Sequence, residues 1–250
     1  MNLVWENNFK VAAFDVDAFN RLRINRLLDY FQDAASNDAE RRGFGYKDFV
    51  PNGLFWVLSW IKIEILHHSK FMDEIKIQTW GKKQHKLYSI RDFLFLNNSG
   101  KIIAKGTSAW ILLDVKSLRP KSLPQLYPNI KMLDTKNALN DLPHKINSSE
   151  QVEIVYSKSI RYSEIDLNNH TNNAKYIEML LDCFEQNFHK QHSVKSLIAS
   201  FNSETKFGEV IDFYKGELKS NYPSHYVEAK NKSTNRLILQ AQIEWSSVLF

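Results

Sequence analysis

The sequence contains a single cysteine, Cys183, and only 8 glycines and 6 prolines among its 250 residues. One cysteine excludes an intramolecular disulfide framework and is compatible with the reducing cytoplasm, where we expect the protein to act. The scarcity of glycine and proline argues against low-complexity linkers. The longest apolar run, residues 54–61, is far shorter than the roughly 20 residues that span a membrane, so we expect no membrane insertion. The N-terminus shows no basic-then-apolar signal pattern, and we expect it to begin a strand.

What the chain does contain is enough apolar residues for a core, together with a basic charge balance. Hydrophobic residues make up 43% of the chain and aromatic residues 13%, which suits one large domain or two small ones. The formal net charge of +5 fits an acidic partner, either a protein or a nucleic acid. No zinc-finger spacing or RNA-recognition signature supports nucleic acid, so we expect none. Metal-ligand spacing, a glycine-rich phosphate loop and the G-x-S-x-G motif are also missing, and we expect no metal and no cofactor.

Three sequence matches recur in the same order in the two parts of the chain and indicate an internal duplication. The matches pair Asp17 with Asp166, Phe71 with Phe207, and Trp110 with Trp245. Each half is therefore expected to follow one plan, in which a short strand precedes one long helix and several strands follow.

The pattern of apolar residues supports this plan. Apolar residues recur at helical spacing over residues 21–42, where Gly43 supplies a stop, and again over roughly 173–189. Neither half has a second long helix that could serve as a crossover between parallel strands. We therefore expect an α+β fold, with a mainly antiparallel sheet packed on one helix in each half. The predicted domains are 1–130 and 151–250, joined by a polar, irregular linker at 131–150.

The stretch before the second helix carries the clearest chemistry. Asp166, Asn168 and His170 alternate along the chain, and in an extended segment their side chains would point to one side. Asn172 and Asn173 can cap the helix, whose unpaired amides and positive dipole end suit a developing oxyanion. A polar stretch before a helix is also typical of an ordinary turn and cap, so the spacing alone leaves both interpretations open.

A resemblance to a known family adds to this interpretation. The segment at 166–173, DLNNHTNN, resembles the D-x-N-x-H-x-N-N segment of plant and bacterial acyl-ACP thioesterases. In the first half, WVL at 56–58, IKIEI at 61–65, SIRDF at 89–93 and GTSAW at 106–110 are similar to motifs of the same family, in the same order. The resemblance implies two tandem hotdog domains, each a long helix wrapped by an antiparallel sheet. It also implies that Asp166, Asn168 and His170 are catalytic and that the first half shapes an acyl pocket.

The sequence departs from the plant enzymes downstream of the histidine. Those enzymes carry a Glu-Cys pair about 34 residues past it, whereas Glu204 here is followed by Thr205. A cysteine nucleophile is therefore excluded at that place, and Glu204 becomes the candidate carboxylate that activates water. We expect Cys183, on the second helix, to be a small buried residue. The first-half counterpart, residues 17–21, contains no histidine, so we expect only the second half to be catalytic.

These features predict an enzyme that hydrolyses fatty acyl thioesters of acyl carrier protein and acts as a homodimer. An acyl-CoA thioesterase, a dehydratase acting on acyl thioesters, and a non-catalytic acyl-binding protein remain alternatives. We expect the acyl tail to lie beside the 21–42 helix and the 56–65 strand. The basic residues expected to dock the acidic carrier are Lys82, Lys83, Lys86 and Lys175.

Overall fold

A computed structural model describes residues 2–248, and the chain divides into two compact units, Met1–Pro143 and His144–Phe250. We call these the N-terminal unit and the C-terminal unit. In the N-terminal unit the helices and strands run in the order β1 (Trp5–Lys10), α1 (Ile24–Arg41), α2 (Tyr46–Phe49), β2 (Leu54–Ile65), β3 (Glu74–Gly81), β4 (Ser89–Asn97), β5 (Ile102–Asp114), β6 (Pro120–Lys121) and α3 (Leu123–Leu126). In the C-terminal unit they are β7 (Glu153–Ser159), α4 (Asn173–Leu181), α5 (Gln186–Gln191), β8 (His192–Phe201), β9 (Val210–Glu217), β10 (Ser224–Asn231) and β11 (Leu237–Ser247).

Each unit forms an antiparallel sheet, as the sequence predicts. The strand order is β1-β3-β4-β5-β2 in the N-terminal unit, with β6 paired to β5, and β8-β11-β10-β9-β7 in the C-terminal unit. The pairs described within each unit are antiparallel. The α+β class is therefore confirmed.

Helix α1 packs tightly against the N-terminal sheet. Its predicted apolar stripe is buried, and Phe31 stacks on Phe93 with ring centroids 4.3 Å apart. The close approach depends on Gly106, because a Cβ atom there would lie 2.4 Å from the Phe31 ring. The helix ends at Arg41, and Gly43 adopts a left-handed φ of +77°, which confirms the predicted stop.

The predicted single helix at 173–189 is wrong, because the structure has two helices there, α4 and α5, with residues 182–185 between them. The Lys215 Nζ atom donates to the Cys183 carbonyl at 3.2 Å and lies 5.1 Å from the Phe184 ring centroid. Phe184 also packs against Trp245, with centroids 4.7 Å apart. These tertiary contacts occupy backbone and side-chain groups just past α4, and they override the helical spacing of the apolar residues.

The irregular segment after α3 packs on one face of strand β3, residues 74–81. Ile75, Ile77 and Thr79 are buried on one face of this strand, and Trp80 on the opposite face is buried as well. The Trp80 indole donates to the Lys136 carbonyl at 3.0 Å. Residues near 136 thus cover this face of the N-terminal sheet and belong to the N-terminal unit.

The predicted internal repeat is confirmed by matching irregularities. Trp110 pairs with Leu58 beside a bulge between β2 and β5. Trp245 pairs with Val194 beside a bulge between β8 and β11. The same deviation therefore occurs at equivalent places in the two sheets.

Candidate active site

Residues 166–170 form a tight turn and not the extended segment that the alternation of polar residues predicts. Asp166 Oδ1 accepts the backbone amides of Asn168 at 2.8 Å and His170 at 3.3 Å. The Asp166 amide donates to the His170 carbonyl at 2.9 Å, and Asn169 adopts a left-handed φ of +61°. The extended prediction is wrong because a short carboxylate can hydrogen-bond the backbone two and four residues onward and close a turn. Asp166 therefore holds the loop on which His170 stands.

The turn brings together His170 and Glu204, two of the predicted site residues. The His170 Nδ1 atom lies 3.1 Å from Glu204 Oε2. Their side chains are 24% and 50% exposed, so a substrate can reach both groups. A carboxylate at Nδ1 favours the tautomer that carries its proton there and leaves the Nε2 lone pair free to accept a proton.

The backbone around Glu204 is fixed by contacts that the spacing of residues along the chain does not reveal. The Thr205 carbonyl accepts the Thr171 amide at 2.9 Å, which ties the glutamate segment to the histidine turn. Thr205 Oγ1 lies 2.7 Å from the Tyr176 hydroxyl, and both groups are buried. Arg236 donates to the Glu204 carbonyl at 2.9 Å. Glu204 is thus held in place by its neighbours on three other segments.

Helix α4 begins where the sequence predicts. Asn172 is its N-cap, and the Asn172 side-chain oxygen accepts the Ala174 amide at 2.7 Å. Asn173 is the first helical residue. The exposed side chain of Asn168 makes no hydrogen bond with a described residue, so its amide group is available to a ligand. Asn168 therefore lies in the His170 turn and α4 follows it, but the Asn172 amide already donates to the Glu164 carbonyl at 2.9 Å and is not free to bind an oxyanion.

The N-terminal unit carries the same turn without the same chemistry. Asp17 Oδ1 accepts the amides of Phe19 at 2.8 Å and Arg21 at 2.9 Å, so Arg21 occupies the position equivalent to His170. The Leu22 amide donates to the Ser69 carbonyl, as Thr171 does to Thr205, which makes His68 the counterpart of Glu204. The N-terminal turn thus has an arginine and a histidine where the C-terminal turn has a histidine and a carboxylate.

Cys183 does not supply a second reactive centre. It is buried, as expected, and burial raises the pKa of its thiol to about 12, which keeps it protonated at neutral pH. No group of three or more His, Cys, Asp and Glu residues between positions 2 and 248 is placed to hold a metal ion. Within the same range, no helix is long and apolar enough to cross a membrane.

An apolar cavity lies within the N-terminal unit. Its lining combines helix α1, through Ala35 and Ala39, with the sheet, through Trp56 and Trp110. Ala34, although buried on the same helix, does not line it. Arg91 also lines the cavity, and its guanidinium pairs with the buried Asp38 at 2.9 Å.

Two of the four predicted docking lysines are already paired. Lys82 Nζ lies 3.4 Å from Asp92 and its side chain is mostly buried, while Lys175 Nζ pairs with Glu178 at 2.8 Å. The charges of these two lysines are therefore partly balanced within the protein, and their role in docking the carrier stays a prediction. Lys83 and Lys86 are exposed.

Comparisons with known proteins place this chain in a family. Residues 2–129 match the acyl-ACP thioesterase N-terminal domain and residues 147–247 match the acyl-ACP thioesterase C-terminal domain. The two units are hotdog units, the fold of the solved acyl-ACP thioesterases that they resemble. The chain belongs to the acyl-ACP thioesterase family.

Curated relatives are distant in sequence but align over most of the chain. The chloroplastic acyl-[acyl-carrier-protein] hydrolase FATB2 of Cuphea viscosissima is 22% identical over 97% of this chain and 63% of its own length. The chloroplastic oleoyl-acyl carrier protein thioesterase 2 of Arabidopsis thaliana is 22% identical over 92% of this chain and 66% of its own length. This chain thus spans somewhat less than two thirds of the length of such relatives.

Solved structures share the fold over nearly the full chain. An acyl-ACP thioesterase from Bacteroides thetaiotaomicron aligns with a TM-score of 0.87 at 23% identity, over 97% of this chain and 98% of the other. The 12:0-ACP thioesterase from Umbellularia californica aligns with a TM-score of 0.84 at 19% identity, over 99% of both chains.

Proposed function

We propose that this protein hydrolyses fatty acyl thioesters carried by acyl carrier protein and releases the free fatty acid. The observation that carries the proposal is the His170–Glu204 pair, 3.1 Å apart and open to solvent, on a unit of this family. The paired histidine, the carboxylate and the start of helix α4 are the groups that thioester hydrolysis needs.

His170 acts as the general base. Glu204 holds the imidazole with its proton on Nδ1, so that Nε2 takes a proton from water while the water oxygen attacks the thioester carbonyl carbon. Asp166 positions His170 through the turn, because its carboxylate accepts the His170 amide. Asp166 therefore acts through the backbone and not on the substrate.

The negative charge then develops on the carbonyl oxygen. The Asn168 side-chain amide donates to it, and the positive end of the α4 dipole, at Asn172 and Asn173, lowers its energy. When the intermediate collapses, the carbon–sulfur bond breaks and the His170 imidazolium gives its proton to the leaving thiolate. The products are a fatty acid and the free thiol of the carrier.

Residues 1–130 of the N-terminal unit supply the acyl pocket and residues 151–250 supply the catalysis. Residues 131–150 connect them, although 131–143 pack as part of the N-terminal unit. The apolar cavity lined by Ala35, Trp56 and Trp110 supports the first assignment. The absence of a carboxylate at the position of Glu204, where the N-terminal unit has His68, supports the second.

The carrier is proposed to be an acidic protein, because the chain is basic. Electrostatic attraction between a basic enzyme and an acidic carrier accelerates their association and is screened by salt. The value of kcat/KM for acyl-ACP should therefore fall as the salt concentration rises from about 20 to 300 mM. We further propose a homodimer that acts in the cytoplasm. Light scattering and cell fractionation test these two statements.

A thiol-release assay tests the function. It compares acyl-ACP, acyl-CoA and 3-hydroxyacyl thioesters, using the wild type, His170→Ala and Arg21→Ala. We expect acyl-ACP to be the best substrate, His170→Ala to lose most turnover, and Arg21→Ala, its counterpart in the N-terminal unit, to retain it. Preference for acyl-CoA would identify an acyl-CoA thioesterase. Formation of an enoyl product without thiol release would identify a dehydratase.

A further inference from the structure

We propose that the loop surface around His170 docks the acidic carrier through Arg161, Tyr162, Leu167, Lys206 and Phe207. This inference rests on the proposed function, since the carrier must bring its thioester to the His170–Glu204 pair. We call the five side chains the docking surface. Tyr162, Leu167 and Phe207 are 87%, 89% and 64% exposed.

Backbone hydrogen bonds join the loops of the docking surface into one piece. Ile160 and Gly208 are linked, because the Gly208 amide donates to the Ile160 carbonyl at 3.0 Å. The turn that carries Leu167 is linked to the Glu204 segment by the Thr171 amide, which donates to the Thr205 carbonyl at 2.9 Å. The exposed apolar side chains therefore stand on the loops that carry the candidate catalytic pair.

The internal repeat shows that the fold does not require these side chains. Arg161, Tyr162 and Leu167 stand at positions where the N-terminal unit has alanine, namely Ala12, Ala13 and Ala18. Both copies of the loop nevertheless form the same hydrogen bonds, including the one in which residue 12 or 161 donates to the acidic residue three positions onward. The three larger side chains occur only in the unit that holds His170 and Glu204, and solvent-exposed positions of this kind add little to stability. Phe207 differs, since Phe71 occupies its equivalent position.

The four carboxylates at 164, 166, 204 and 209 are balanced by four cations at 158, 161, 206 and 236, but two of these cations have no ion-pair partner among the described residues. The acidic side chains are occupied within the unit: Glu164 pairs with Lys158, Asp166 accepts two backbone amides, Glu204 faces His170, and Glu209 lies 3.6 Å from Arg236. Arg161 and Lys206 are exposed and form no ion pair with a described residue. Unpaired cations beside exposed apolar side chains are complementary to an acidic protein that also presents apolar contacts.

The test removes the three side chains that distinguish the catalytic loops from their N-terminal copies. The variant Arg161→Ala/Tyr162→Ala/Leu167→Ala restores the alanines that the equivalent loop carries, so it should fold. We expect KM for acyl-ACP to rise about tenfold or more, which corresponds to about 1.4 kcal/mol of binding. Hydrolysis of a short acyl-pantetheine thioester should stay within about twofold of the wild type, because a small substrate needs no protein contact. Phe14→Ala is the matched control, since Phe14 is an exposed aromatic side chain on the N-terminal loop.

Three results would overturn the inference. Equal losses on both substrates would show that the triple substitution disturbs the catalytic pair, and unchanged KM for acyl-ACP would show that the carrier binds elsewhere. A change from dimer to monomer in light scattering, with KM for acyl-ACP unchanged, would assign the surface to contact between copies of this chain.

Direct binding separates this inference from the proposed function. If the wild type hydrolyses neither substrate, the proposed function fails. Calorimetric titration with acyl-ACP then decides the docking surface alone: wild-type binding that the triple variant loses would support it. Equal or absent binding would refute it.

Discussion

Asp17 and Asp166 make the same two hydrogen bonds in the two units: the Oδ1 atom of each accepts the backbone amides of the residues two and four positions onward. In one unit the fourth residue is Arg21 and in the other it is His170. The equivalence indicates that the aspartate belongs to the loop architecture, and under the proposed mechanism the residue that Asp166 holds, His170, supplies the chemistry.

Replacing each aspartate by asparagine separates these roles. Asp166→Asn should lower kcat by about 10–100-fold, because the His170 amide loses a charged acceptor and the imidazole is held less precisely. Asp17→Asn should weaken the N-terminal turn in the same way and leave kcat near the wild-type value. Steady-state kinetics together with thermal unfolding of both variants provide the measurement. Equal kcat losses in the two variants would contradict a role for Asp166 in positioning His170.

Glu204 should affect kcat by fixing the tautomer of His170. Glu204→Gln keeps the size of the side chain but removes the charge that stabilises the imidazolium and fixes its proton on Nδ1, so kcat should fall by about 10²–10⁴. The control is His68→Gln, the equivalent position in the N-terminal unit, which should keep normal turnover. If Glu204→Gln retained more than half of the wild-type kcat, another group would have to orient His170.

The architecture of the N-terminal unit was readable from the sequence because local signals agree with the tertiary contacts. Phe31 recurs at helical spacing with its apolar neighbours, and Gly43 stops the helix. In the C-terminal unit the local pattern continues past α4, but Lys215, distant in the sequence, occupies the Cys183 carbonyl. No periodicity argument includes that contact, so the break between α4 and α5 could not be predicted.

The candidate site, too, could be predicted from the sequence only in part. Alternating polar residues at 166–170 fit both an extended strand and a turn closed by the aspartate, and only the backbone hydrogen bonds distinguish them. Glu204 was identified as a candidate residue only through the resemblance to the family. Its support by Thr205 and Tyr176 depends on segments brought together by the fold, and spacing carries no signal for it.

Acyl-chain length should respond to Ala35, which lines the N-terminal cavity. Ala35→Leu places additional carbon atoms in that space, so the preferred substrate should shift towards shorter chains, as read from kcat/KM over a series of acyl-ACPs. Ala34→Leu is the contrasting variant, because Ala34 is fully buried outside the cavity lining. It should lower stability by about 1–3 kcal/mol through overpacking and leave the length profile alone. A stable Ala35→Leu variant with the wild-type profile would show that the tail binds elsewhere.

His225 should make the stability of the protein depend on pH. It lies among aromatic rings, with the Phe184 and Phe188 centroids 4.9 and 5.6 Å from its own. Burial, with a further contribution from Lys215, lowers the pKa of His225 below its ordinary value of 6.5, although Glu217 opposes the shift. Its Nδ1 atom is buried without a hydrogen-bond partner among the described residues, so no neighbouring acceptor favours the charged form.

The sign of the effect follows from the difference between folded and unfolded chains. Below pH 6.5 the unfolded chain binds a proton at His225 more readily than the folded one, which favours unfolding. The stability that the neutral imidazole contributes is therefore complete above about pH 6.5 and is lost as the pH falls through the lower, folded pKa. Other groups also titrate in acid, so the informative quantity is the difference between the wild type and His225→Gln, whose side chain does not titrate. Thermal unfolding measured from pH 8 to pH 5 should show that the wild type loses more stability than the variant as the pH falls. Parallel curves over this range would mean that His225 is protonated as easily in the folded protein as in the unfolded chain.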